Sequence, residues 1–79
     1  MVYETTTKLN WEKVKKKAID HFGKELGLTE VKNEGTCLDF EGGGGFVNIY
    51  FCIQENDEKK VELTTREWDR QVKSFMGKI

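Results

Sequence analysis

Two apolar alternations meet across four consecutive glycines, and that junction constrains the fold more than any other feature of the chain. Over residues 37–41, Leu38 and Phe40 alternate with Cys37, Asp39 and Glu41; over residues 46–53, Val47, Ile49, Phe51 and Ile53 alternate with Phe46, Asn48, Tyr50 and Cys52. A period of two puts every second side chain on one side of a strand. With Gly42, Gly43, Gly44 and Gly45 as a four-residue loop, Glu41 pairs with Phe46, Phe40 with Val47 and Leu38 with Ile49. Both apolar sets then face the same way, so loop length and pattern agree on a hairpin with one core face.

The next strand, "KKVELT", has to bury Val61 and Leu63 on the same side as Phe51 and Ile53. That requires an odd connection of three or five residues within "QENDEKK", since a two-residue turn at Asn56-Asp57 sets Val61 beside Cys52. A shorter strand around Val31 leads through Asn33, Glu34 and Gly35 into the strand of Cys37. The opening "VYETTTK" is rich enough in Thr, Val and Tyr to be a further strand.

Elsewhere the period is helical. Over residues 10–26, Trp11, Val14, Ala18, Phe22 and Leu26 share one face, with Lys13, Lys16, Lys17, Asp20 and Lys24 opposite. Asn10 is the expected N-cap, Leu9 and Val14 form a hydrophobic staple, and Gly27 ends the helix. A second helix is expected to start from a capping box of Thr64 and Glu67 with a staple of Leu63 and Trp68, burying Trp68, Val72, Phe75, Met76 and Ile79.

These elements fit one domain, residues 1–79, of the α+β class: a two-layer sandwich, β-α-β-β-β-β-α, with an antiparallel sheet and both helices on one face. A chain of 79 residues with 37% hydrophobic residues supports a single core, while 34% charged residues and no proline indicate a well-solvated, regular structure. Thirteen basic against 14 acidic residues give no net field for nucleic acid or anionic lipid. The polar start has no signal-peptide core and no apolar run approaches a membrane span, so the expected location is cytoplasmic, with Cys37 and Cys52 as thiols. One histidine and two cysteines 15 residues apart do not make a zinc site; no metal and no cofactor are expected.

The element order, over the whole chain, resembles one repeat of the TATA-box-binding-protein-like fold, in layout and without a sequence motif. The resemblance implies that the helix-free, concave sheet face is the working surface. Members of that fold bind very different ligands there, DNA included, so it implies no particular ligand.

The motifs read mostly as structure. The tetraglycine precedes a strand and lacks the helix N-terminus and Gly-Lys-Ser/Thr of a phosphate cradle, so it reads as a hairpin loop, flexible enough to serve as a binding lip. "GGGFVNIY" partly resembles the RNA-recognition octamer, but Gly42 replaces its basic residue, and Gly44 and Ile49 replace aromatics. Lys13, Lys16 and Lys17 read as a solvated helix face, with Asp20 placed to pair Lys16; the functional alternative is a basic strip for an acidic partner. His21, at the edge of the apolar stripe, lacks a nucleophile or acid within reach.

The outer sheet face is the informative surface. By parity it carries Cys37, Asp39 and Glu41 beside Phe46, Asn48, Tyr50 and Cys52, then Lys60, Glu62 and Thr64. Cys37 falls opposite Tyr50 and Asp39 opposite Asn48. The expected function is a small non-catalytic binding or self-association module using this face at Cys37, Asp39, Phe46, Asn48, Tyr50 and Cys52. The expected partner is a protein, a second copy in a homodimer, or a small ligand, and not a membrane. The alternative is a nucleic-acid-binding domain using the lysine strip and glycine loop, disfavoured by Asp39, Glu41 and Glu62 on the face; an enzyme comes third, for want of a convergent acid, base and nucleophile.

Overall fold

The hairpin forms in the register the alternation dictates. In the computed structural model, which describes all 79 residues, β3 (Cys37–Gly42) and β4 (Gly45–Ile53) run antiparallel with Leu38 opposite Ile49, Phe40 opposite Val47 and Glu41 opposite Phe46. One detail differs: Gly42 and Gly45 also pair, so the connection is the two residues Gly43 and Gly44 and not a four-residue loop. Their φ angles of 59° and 80° are left-handed at both central positions, the signature of a type I′ turn whose twist matches that of its strands.

Three strands extend this hairpin. β1 (Val2–Thr7), β2 (Thr29–Glu34) and β5 (Lys59–Arg66) complete an antiparallel sheet of order β1-β5-β4-β3-β2. Phe51 stands opposite Val61 across the connection at residues 54–58, which has the odd length that parity requires. Ile53 is a correction: it lies at the end of β4 opposite Lys59 and is 61% exposed, outside the core.

Both helices, α1 (Trp11–Ala18) and α2 (Asp69–Met76), cover the same side of the sheet. Val14, Ala18, Phe22, Val72 and Phe75 join Leu38, Phe40, Val47, Ile49, Phe51, Val61 and Leu63 in one buried cluster, while the alternate residues of the strands stay outside it. The architecture is therefore the α+β two-layer sandwich β-α-β-β-β-β-α. Phe22 anchors the helix layer, with ring centroids 5.2 Å from Phe75 and 5.7 Å from Phe40. No helix is long and apolar enough to cross a membrane.

Asn10 caps α1, its Oδ1 accepting the Lys13 N–H at 3.0 Å. Beyond Ala18 the helix widens into a π-helical segment, Ile19–Glu25, where the Leu26 N–H reaches back five residues to His21 O. A wider turn rotates less per residue, so His21 comes to share burial with Phe22 and Leu26 moves toward the rim. Gly27, at φ 74°, ends the segment as expected: Leu28 N–H bonds Phe22 O and Gly27 N–H bonds Gly23 O.

The start of α2 is the second correction. Thr64 is not a cap; it lies within β5 between Asn48 and Val2, and α2 begins only at Asp69, without a side-chain cap. Pairing on both sides of β5 outweighs one local cap. The Thr65 N–H bonds Met1 O at 2.9 Å and its hydroxyl bonds Phe46 O at 2.7 Å. Glu67, at φ 78°, then breaks the strand.

Candidate functional site on the helix-free sheet face

Each strand contributes alternate side chains to the bare face, and the ladder sets them in rows. Thr29, Glu41, Phe46 and Arg66 form one row across β2, β3, β4 and β5; Lys32, Asp39, Asn48, Thr64 and Val2 form the next; Glu34, Cys37, Tyr50, Glu62 and Glu4 form a third. Cys52, Lys60 and Thr6 lie beyond them. All six residues expected on this surface, Cys37, Asp39, Phe46, Asn48, Tyr50 and Cys52, are there, with Cys37 opposite Tyr50 and Asp39 opposite Asn48. Tyr50 stands proud at 48% exposure, whereas both cysteines are half-buried free thiols.

At the glycine end the face dips into an open depression of about 770 Å³, where Asp39, Phe46 and Asn48 are joined by Val31, Glu41 and Arg66. Strand alternation alone does not assign Val31 and Arg66 to this surface. Arg66 reaches it because β5 runs two residues past the misplaced helix cap, and Val31 because β2 is shifted in register between Glu30 and Lys32. The "TEV" segment has no alternation from which a bulge is readable. Arg66, Asp39 and Glu41 have no ion-pair partner within the chain. Opposite charges thus flank Phe46 from neighbouring strands, separated by two strand spacings of about 4.8 Å each.

Elsewhere on the face one ion pair forms, between β5 and β1. Lys60 Nζ lies 3.0 Å from Glu4 Oε1, and this hydrogen-bonded carboxylate raises the lysine pKa against the opposing effect of desolvation. Such an exposed pair stabilises little.

The glycines are a packed joint. The Trp68 indole N–H donates to Gly42 O at 2.9 Å. A Cβ on Gly42 falls 2.6 Å from the Leu28 side chain, one on Gly43 falls 2.9 Å from the Trp68 ring, and one on Gly45 overlaps the Arg66 carbonyl oxygen. Only Gly44 faces open space. Small residues are needed here for the close approach of Leu28, Trp68 and the end of β5 as well as for the turn, so the four do not form an independent loop.

Lys13, Lys16 and Lys17 are exposed on α1 without ion-pair partners; Asp20 pairs Lys24 at 3.4 Å instead of Lys16. The strip lies on the helix layer, with the π-helical segment between it and Leu28, the residue against which Gly42 packs. Strip and glycine turn are therefore separate surfaces. His21 is 6% exposed and doubly engaged: its Nε2–H donates to Gln71 O at 3.1 Å and its Nδ1 accepts from Lys78 Nζ at 3.0 Å. It stitches α1's continuation to α2. No group of three or more His, Cys, Asp or Glu side chains converges as a metal site.

Compared with family models and with curated proteins, the chain matches none.

Proposed function

We propose that the chain is a small non-catalytic binding module whose helix-free sheet face docks a protein partner, anchored at Tyr50, with Phe46, Cys37 and Cys52 around it. The observation that carries this reading is the half-exposed Tyr50 at the centre of a five-stranded surface that no helix covers. A tyrosine supplies a large rigid contact with one hydrogen-bonding end, and aromatic anchors of that kind dominate protein interfaces. The likeness of the element order to the TATA-box-binding-protein-like fold supports the same face, without naming its ligand.

A small ligand is the second reading. It is favoured by the depression lined by Arg66, the Asp39 and Glu41 carboxylates and Phe46. Nucleic acid fits less well, because the unpaired lysines and the glycine turn lie on different surfaces and the bare face carries Glu4, Glu34, Asp39, Glu41 and Glu62.

The test is affinity capture from a cell extract with immobilised wild-type chain and the Tyr50→Glu variant, after circular dichroism shows equal folding. The reading expects proteins retained by the wild type and lost from Tyr50→Glu. Equal retention by both overturns it.

A further inference from the structure

The two edges of the sheet are not equivalent. β2 carries a bulge between Glu30 and Lys32 and three charges, Glu30, Lys32 and Glu34, in six residues that are all exposed. Bulges and edge charges are the devices that block strand addition. β1, at the other edge, has neither a bulge nor a run of charge: its register with β5 is continuous from Val2 to Thr7, and its one charge, Glu4, is held by Lys60 at 3.0 Å.

Backbone accounting shows what β1 offers. Because the Thr65 N–H bonds Met1 O, the antiparallel alternation gives the polar groups of Tyr3, Thr5 and Thr7 to β5 and turns those of Val2, Glu4 and Thr6 to the open edge. Outside the ladder, the one bond to them is a 3.3 Å contact from the Thr5 hydroxyl to Thr6 O. A regular row of free donors and acceptors is a template for another strand.

We infer that β1 is a homodimerisation edge, pairing antiparallel with β1 of a second copy to make a continuous ten-stranded sheet. Charge separates the two registers centred on the middle of the strand. A two-fold axis through Glu4 sets the two Glu4 carboxylates opposite one another. An axis through Thr5 sets Glu4 opposite Thr6 of the second copy and brings the row of Glu62 and Glu4 up to that copy's Thr6 and Lys60. It also places Thr5 against its symmetry mate, a favourable cross-strand pair. Glu4 and Thr6 then exchange both of their hydrogen bonds with the second copy, and the Tyr50 face stays uncovered. The inference stands apart from the docking role proposed for that face.

Amide hydrogen exchange on the ¹⁵N-labelled full chain under reducing conditions, from micromolar to millimolar concentration, with mass followed by light scattering, tests it. The expected result is a concentration-dependent dimer in which the Glu4 and Thr6 amides exchange at least about tenfold more slowly than in the dilute monomer. Thr6→Pro removes an edge-facing N–H and no intrachain bond, so it is expected to leave a folded monomer, whereas Tyr50→Glu remains dimeric. A monomer at millimolar concentration overturns the inference and leaves the edge to a strand of another protein. A dimer whose Glu4 and Thr6 amides still exchange rapidly, or one that Tyr50→Glu dissociates and Thr6→Pro does not, overturns it as well.

Discussion

Alanine placed one at a time through the glycine run separates a packed joint from a cradle or a mobile lip. At Gly45 the new Cβ overlaps the Arg66 carbonyl oxygen and lies 2.7 Å from Glu67 Cβ. Backbone atoms of the β5–α2 junction have to move, and overpacking of that kind costs about 3 kcal/mol. At Gly44 there is open space, so only the left-handed conformation at φ 80° is penalised, by about 1 kcal/mol. Gly43 adds a 2.9 Å approach to the Trp68 ring to the same backbone penalty and falls between the two. At Gly42 the clash is with the movable end of Leu28, so Gly42→Ala also falls below Gly45→Ala. Urea unfolding reads this order directly: with a slope of about 1 kcal/mol per M for so small a chain, Gly45→Ala lowers the midpoint by about 3 M and Gly44→Ala by about 1 M. Four variants of equal stability, or Gly44→Ala as the least stable, refute the packing explanation.

Two further perturbations test other parts of the structure. The Tyr3 hydroxyl donates to Asp69 Oδ2 at 2.6 Å, and this bond to the carboxylate is the largest cause of a tyrosine pKa raised above its ordinary 10.0, ahead of desolvation and the carboxylate's charge. A raised folded-state pKa contributes stability that is fully present below pH 10.0 and is lost as pH climbs through the folded midpoint. Phenolate absorbance at 295 nm in a Tyr50→Phe background is expected to show Asp69→Asn lowering the Tyr3 midpoint; an unchanged midpoint contradicts the assignment. Phe75 is fully buried between Phe22 and His21, so Phe75→Ala is expected to cost about 3 to 5 kcal/mol by calorimetric or urea unfolding, and a loss under about 1 kcal/mol contradicts the packing described.

Parity carried most of what was legible in the sequence. Once Leu38, Phe40, Val47 and Ile49 had to face one side, the β3–β4 register followed, and with it the company of Tyr50 and Cys37 on the other face. The odd connection before Val61 came from the same reasoning. What local pattern could not show were features decided by distant partners. Thr64 and Glu67 look like a capping box, yet pairing with both Asn48 and Val2 keeps Thr64 in a strand and carries Arg66 onto the bare face. His21 sits at the margin of an ideal helical stripe, and only the π-helical widening, with bonds to Gln71 and Lys78, buries it. Four adjacent glycines suggest freedom, but three of them are closely approached by Leu28, Trp68 and Arg66, which arrive from elsewhere in the chain.

For the proposed docking on the helix-free face, Cys37 and Cys52 are built-in reporters: both are half-buried thiols, Cys37 directly across from Tyr50 on β3 and Cys52 two residues along β4. The most direct measurement is the iodoacetamide reaction rate of each thiol, resolved by peptide mass, in the free chain and in the complex with a protein captured by the wild type. Docking on this face predicts that both thiols react several-fold more slowly in the complex. Unchanged rates at both, with the partner bound, contradict the claim and place the contact elsewhere on the molecule.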